Sequence, residues 1–199
     1  MRKLHYISTL VLSLGLFGYA NSSLAQSAMT GTPHDITSGD ICITCHTPHS
    51  SGSQLVPLWN HETTAVASYT MYSSGSMKNV MGTEPGNVSK ACLSCHDGTV
   101  AIDSYGGATG NVMMNGNELV GSVTGGVNDL SSNHPIAVTY NHVLDTGLKD
   151  VTTLTLPLYG PSNDQVGCAS CHNPHDNTNS KFLRVSNTSS GLCINCHVK

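Results

Sequence analysis

Hydrophobic positions along most of this chain follow neither a helical nor a strand period. The clearest apolar run is Tyr6–Ala20, rich in Leu and Val, with Arg2 and Lys3 before it and Ser23-Leu24-Ala25 after it. A positive start, an apolar stretch of about fifteen residues and a small-x-small site form the pattern of a secretory signal peptide, so residues 1–25 are expected to be removed. The run is shorter than the roughly twenty residues that span a bilayer, and no Cys stands at the cleavage site to carry a lipid. Beyond it, no stretch is apolar enough to cross a membrane. Gly106-Gly107-Ala108-Thr109-Gly110-Asn111 and Gly121-Ser122-Val123-Thr124-Gly125-Gly126 break helices and suit loops. Asp150-Val151-Thr152-Thr153-Leu154-Thr155-Leu156 favours a strand and is expected to pair as one. Residues 26–199 are therefore expected to form one domain of largely irregular backbone, with few short α-helices and minor β.

Composition makes such a domain hard to stabilise by side chains alone. The 199 residues are 38% hydrophobic, 5% aromatic and 10% charged, with 20 Gly. An ordinary globular enzyme runs nearer 45–50% apolar and about 25% charged. Few charges also rule out a charged disordered tail. Loss of residues 1–25 removes Arg2 and Lys3 and no acid, taking the formal charge from −4 to −6. That gives no basic surface for nucleic acid or anionic lipid. What stands out instead is 8 Cys and 11 His.

All the cysteines fall in four pairs, each followed at once by His: Cys42-Ile43-Thr44-Cys45-His46, Cys92-Leu93-Ser94-Cys95-His96, Cys168-Ala169-Ser170-Cys171-His172 and Cys193-Ile194-Asn195-Cys196-His197. Cys-x-x-Cys-His is the attachment motif of c-type haem. A short helix is expected at each motif, because positions i, i+3 and i+4 of one helical turn share a face. Two thiols can then join the two vinyl groups of one porphyrin while the imidazole reaches the iron. Disulfides, zinc and a redox dithiol are the rival uses of paired cysteines. None of them requires His after every pair. With His at 11 of 199 residues, four chance placements come to roughly one in a hundred thousand. The chain is read as holding four covalent c-type haems, with His46, His96, His172 and His197 on iron.

Six further histidines follow the signal segment: His34, His49, His61, His134, His142 and His175. Electron-carrying haems usually have both axial positions filled, and catalytic ones keep one open. Four second ligands are needed and six are on hand, which favours electron transfer over catalysis. Six Met in the same region keep mixed His/Met ligation as the lesser reading. His49 and His175 each sit three residues after a motif His, in His46-Thr47-Pro48-His49 and His172-Asn173-Pro174-His175. The Pro ends the turn and sets the exit direction, so the second His is expected to reach a neighbouring haem. His34, His49, His134 and His175 are the expected distal ligands, with His61 and His142 in surplus.

Several segments together resemble a bacterial family of multihaem c-type cytochromes with doubled Cys-x-x-Cys-His motifs. They are His34-Asp35 through Cys42–His49, Cys92–His96 with Asp97-Gly98-Thr99, Asn133-His134-Pro135-Ile136, Cys168–His175, and Lys181-Phe182-Leu183-Arg184 through Cys193. The haem count and order resemble the outer-surface tetrahaem members that polymerise into conducting filaments in metal-reducing bacteria. The resemblance implies extracellular electron transfer, with other multihaem cytochromes and extracellular electron acceptors as partners. It also implies a head-to-tail filament in which one axial His comes from the neighbouring subunit; carried over, that position is His49. A head-to-tail contact does not close on itself and so propagates. The alternatives are a monomeric periplasmic electron shuttle and a multihaem reductase. A reductase needs an open haem and a cationic pocket, and six scattered Lys and Arg after residue 25 supply none. The chain is accordingly not expected to be an enzyme.

Overall fold

The computed structural model describes residues 28–37, 39–51, 55–116, 118–121 and 128–198. The expected signal peptide, residues 1–25, lies outside the described residues, as do residues 122–126 of the second glycine-rich stretch. The backbone is mostly irregular, with a few short helices and one small sheet, as the composition implies. Among the described residues no helix is long and apolar enough to cross a membrane.

Helix α1 spans Asn87–His96. It starts after Pro85-Gly86, where Gly86 is extended and its carbonyl accepts from Lys90 N–H at 2.9 Å. Its inner face carries Ala91, Leu93 and Ser94, and the buried Ser94 hydroxyl satisfies itself on the Lys90 carbonyl at 3.0 Å. Helix α2 is the single turn Cys168–Cys171, and α3 the single turn Cys193–Cys196. The α2 turn is capped from within, because Ser170 Oγ accepts the Gly167 N–H at 3.0 Å. Ser89 Oγ of α1 accepts the Cys168 N–H at 3.1 Å and locks α2 against it. The approach is close enough that a Cβ on Gly167 would stand 3.1 Å from that hydroxyl.

Strands β1 (Val138–Thr139) and β2 (Gln165–Val166) pair antiparallel, Val138 with Val166 and Thr139 with Gln165. Single bridges Met81–Val138 and Tyr159–Gln165 extend the pairing on both sides. Beyond β1, the Tyr140 hydroxyl donates to the carbonyls of Lys149 at 2.8 Å and Cys196 at 3.0 Å, holding the fourth motif to the sheet.

Two local expectations are corrected. The run 150–156 does not form a strand; Val151–Thr153 is a 3-10 turn. The Asp150 carboxylate accepts the Thr152 N–H at 2.9 Å and its hydroxyl at 2.8 Å, and this local capping outcompetes the β preference of Val and Thr. The first motif forms a hydrogen-bonded turn rather than a helix, although its His46 N–H still reaches the Cys42 carbonyl at 2.8 Å.

The side-chain core is small. Tyr69, Leu93 and Leu130 are buried together, with Val66, Met71, Val120 and Ile136 packed against them. Trp59, Tyr140, Leu156 and Phe182 are also buried. Chain regularity and side-chain packing are both thin, and the motif turns carry much of the order.

Candidate haem sites

Each motif repeats one local design. The first Cys carbonyl accepts the N–H of the motif His: 2.8 Å for Cys42–His46, 3.0 Å for Cys168–His172 and 3.0 Å for Cys193–His197. That closes one helical turn and places two thiols and an imidazole on one face. At His172 (φ −112°, ψ 139°) and His197 (φ −97°, ψ 143°) the chain then leaves the helix as extended backbone. There it is gripped from the side by single bridges, His46–Trp59, His172–Leu183 and Leu148–His197.

The ring orientations are fixed from the backbone. Nδ1 of His46 lies 3.1 Å from the Pro57 carbonyl, Nδ1 of His96 2.8 Å from that of Glu118, and Nδ1 of His172 2.8 Å from that of Lys181. A carbonyl can only accept, so Nδ1 is the donor in each of these rings and Nε2 is left as the nitrogen that can meet a metal. Metal-bound histidines use this same outer hydrogen bond to set tautomer and angle.

Three motif histidines face a second imidazole. Ring centroids are 6.0 Å apart for His46 and His175, 6.1 Å for His96 and His34, and 6.4 Å for His197 and His134. An imidazole–metal bond of about 2.0–2.1 Å, plus about 1.1 Å from nitrogen to centroid, puts two trans imidazoles about 6.3 Å apart. The three spacings thus fit a metal held between two rings, which is what a haem iron with two axial histidines requires. The pairs also join remote parts of the chain, since His175 stands beside His46 and not beside His172, its neighbour in sequence. His134 Nδ1 is turned onto the Pro135 carbonyl at 3.1 Å, in the manner of the motif rings. His34 stacks on Phe182 with centroids 4.5 Å apart. Burial, then the nearby His96, His175 and His172, lowers His34 to about 4, so its ring is neutral and electron-donating at neutral pH. Burial, then His46 and Arg184, lowers His175 as well.

Among the described residues His172 and His49 are not paired in this way. His49 is exposed, and its backbone alone engages the Thr47 hydroxyl. His142 turns both ring nitrogens into its own loop: Nδ1 accepts the Val151 N–H at 3.4 Å and Nε2 lies 3.7 Å from Asp150 Oδ2. His61 was placed in surplus by the sequence, yet it is only 4% exposed. Its Nδ1 meets the Glu62 carbonyl at 2.8 Å and its Nε2 lies 3.4 Å from Cys95 Sγ. Its only sequence signal is its place in Trp59-Asn60-His61, and Trp59 packs on it with centroids 6.3 Å apart.

All eight cysteines are free thiols. The thiols of consecutive motifs stand close together. Burial pushes Cys45 up to about 11, with Cys42 adding to it, and pushes Cys95 up to about 12, with Cys45 and Asp97 adding. The Cys92 and Cys168 thiols lie side by side, and their interaction raises Cys92 and lowers Cys168; the Cys92 thiol donates to the Val88 carbonyl at 3.5 Å. Burial raises Cys171, and Cys196, Cys168 and Cys193 add to that. Four attachment turns therefore follow one another in space in their sequence order. Among the described residues no group of three or more His, Cys, Asp or Glu is placed to hold a metal ion by itself.

Residues 160–199 match the family profile described as the doubled CXXCH motif. The match covers the third and fourth motifs, Cys168–His172 and Cys193–His197. It indicates covalently bound c-type haem and supports a multihaem c-type cytochrome-like protein acting in electron transfer. No curated protein matches the chain.

Proposed function

We propose that the chain is a tetrahaem c-type cytochrome that carries electrons between bis-histidine haems and is the protomer of an extracellular conducting filament. The observation that carries this reading is the set of three histidine pairs at 6.0–6.4 Å. Each haem would supply a one-electron ferric/ferrous couple. The chain's own part is to attach, ligate and order: Cys42 and Cys45, Cys92 and Cys95, Cys168 and Cys171, and Cys193 and Cys196 provide the thioethers, and His46, His96, His172 and His197 the first axial ligands. His175, His34 and His134 provide second ligands to the first, second and fourth sites. With a second histidine at three sites, and at the fourth once subunits assemble, no position is left open for a substrate, and the protein is read as a carrier and not an enzyme. The close approach of consecutive thiols favours a relay running from the first motif to the fourth.

The third site supports the filament form. His172 lacks a second imidazole among the described residues, while the exposed His49 has no imidazole partner there. One copy's His49 reaching the His172 site of the next would satisfy both. It is a heterologous contact, and repeating it builds an open chain of subunits. On this reading residues 1–25 are removed on export, and the filament stands at the cell exterior.

Two measurements test the reading. The intact mass of the secreted protein is expected to show four haem adducts, and its ferric spectrum no high-spin component when the protein is assembled. Three adducts or fewer overturn the tetrahaem assignment. His49→Ala is expected to abolish filaments and leave soluble protomers with one haem in four high-spin. Filaments that persist with every haem low-spin remove His49 from the interface. A wild-type protein that elutes only as a monomer with all four haems low-spin favours the periplasmic shuttle.

A further inference from the structure

The second motif alone is followed by an acid. The residues after the four motif histidines are Thr47, Asp97, Asn173 and Val198. Asp97 is 1% exposed, and burying a lone carboxylate is costly unless donors surround it. Four do. The Tyr69 hydroxyl donates to Oδ2 at 2.6 Å, and the Thr64 hydroxyl donates to the same oxygen. The Thr99 N–H and hydroxyl donate to Oδ1 at 2.8 and 2.7 Å. Gly98, at φ +73°, allows the turn that brings Thr99 back onto its neighbour.

Every one of these donors is neutral. The ion pairs among the described residues, Lys78–Asp145, Lys90–Glu84 and His142–Asp150, lie elsewhere. The negative charge is thus solvated by dipoles but not cancelled, in surroundings where charges act over longer range than in water.

We propose that Asp97 is a fixed anion that biases the second haem site toward the ferric state and lowers its reduction potential. The proposal rests on the haem reading of Cys92, Cys95 and His96. It sets the second site apart from the other three, whose motif histidines are followed by Thr47, Asn173 and Val198. Asp97 acts through the field at the site and through the turn that holds His96, and is a positioning residue.

Potentiometric titration of the intact holoprotein, followed by its haem absorption, tests this. The component belonging to the second motif is identified by its loss in a Cys92→Ala/Cys95→Ala variant. Asp97→Asn is expected to shift that component upward, raising its reduced fraction roughly tenfold at fixed poise, with far smaller changes in the others. Tyr69→Phe keeps the charge and removes a donor, so it is expected to shift the same component downward. Opposite signs cannot come from simple loosening, which both variants share. Unshifted potentials in Asp97→Asn with haem still attached, or shifts of the same sign in both variants, overturn the role of Asp97 alone. A peptide mass without haem at Cys92 and Cys95 overturns the haem reading, and the role of Asp97 with it.

Discussion

His175→Ala is expected to turn one haem in four from low-spin to high-spin, and His34→Ala and His134→Ala each to do the same at a different site. The centroid spacings of 6.0, 6.1 and 6.4 Å give each of these rings one motif partner: His46, His96 and His197 respectively. On the proposed reading, removing the distal ring would leave its haem with one axial histidine, since the ring contacts among the described residues give each of these motif histidines one imidazole neighbour. A double variant, His34→Ala with His134→Ala, is expected to convert half of the haem, because the two pairs share no residue. The high-spin signals in the ferric electron paramagnetic resonance spectrum measure the fraction directly. His142→Ala is the control: with its nitrogens on Val151 N–H and Asp150, it is expected to leave every haem low-spin. Undiminished low-spin signal in all three single variants would show that the pairs are packing contacts and that the axial ligands are supplied by other residues. The variants should also loosen the fold, because each pair joins segments far apart in sequence, and His175 joins the C-terminal motifs to the first one.

Much of this site was legible from the sequence, and the reasons are local. Cys-x-x-Cys-His fixes five consecutive residues, and one hydrogen bond such as His172 N–H to Cys168 carbonyl at 3.0 Å completes the geometry. Pro48 and Pro174 likewise act within their own turns. What was not legible depends on contacts across the chain. Nothing in the sequence says that Pro57, Glu118 and Lys181 lend their carbonyls to motif imidazoles, because any residue has a carbonyl. The burial of His61 against Cys95 depends on the long-range bridge between His61 and Tyr105, while Trp59, two residues before it, packs on its ring. Asp97 carried a visible signal, the acid after only one of four motif histidines, but its meaning needed Tyr69 and Thr64 to come in from another segment. The mistaken strand at 150–156 shows the reverse: Val and Thr propensities are weak preferences, and the Asp150 side chain decided the backbone by bonding two residues on.

Without its haems the chain is expected not to fold. Ordering each residue costs about 1–2 kcal/mol in backbone freedom, and regular structure does little to offset it: among the described residues the longest helix has ten residues, the motif helices α2 and α3 four each, and the sheet consists of two-residue strands. The described core centres on Tyr69, Leu93 and Leu130, and α2 and α3 are single turns, too short to persist alone. A covalently attached porphyrin changes this balance in two ways. Its faces offer several hundred Å² of apolar surface, on the order of 10 kcal/mol gross when buried. Its axial histidines also tie together segments that would otherwise have only loops between them. Two attachment turns already meet: α1 carries Cys92, α2 begins at Cys168, and Ser89 Oγ of α1 accepts the Cys168 N–H across their contact. Replacing all eight Cys by Ala removes attachment while leaving every histidine and the small core intact. The amide region of that variant's nuclear magnetic resonance spectrum is expected to collapse to the narrow dispersion of an unfolded chain, with no cooperative thermal transition. Dispersed amide signals would mean that the side-chain core suffices and that the haems are guests in a preformed fold. Restoring only Cys92, Cys95, Cys168 and Cys171 distinguishes the two pictures further. If the haems build the fold, order should return first around α1 and α2, where the two attachment turns touch, and the first and fourth motifs should stay unfolded.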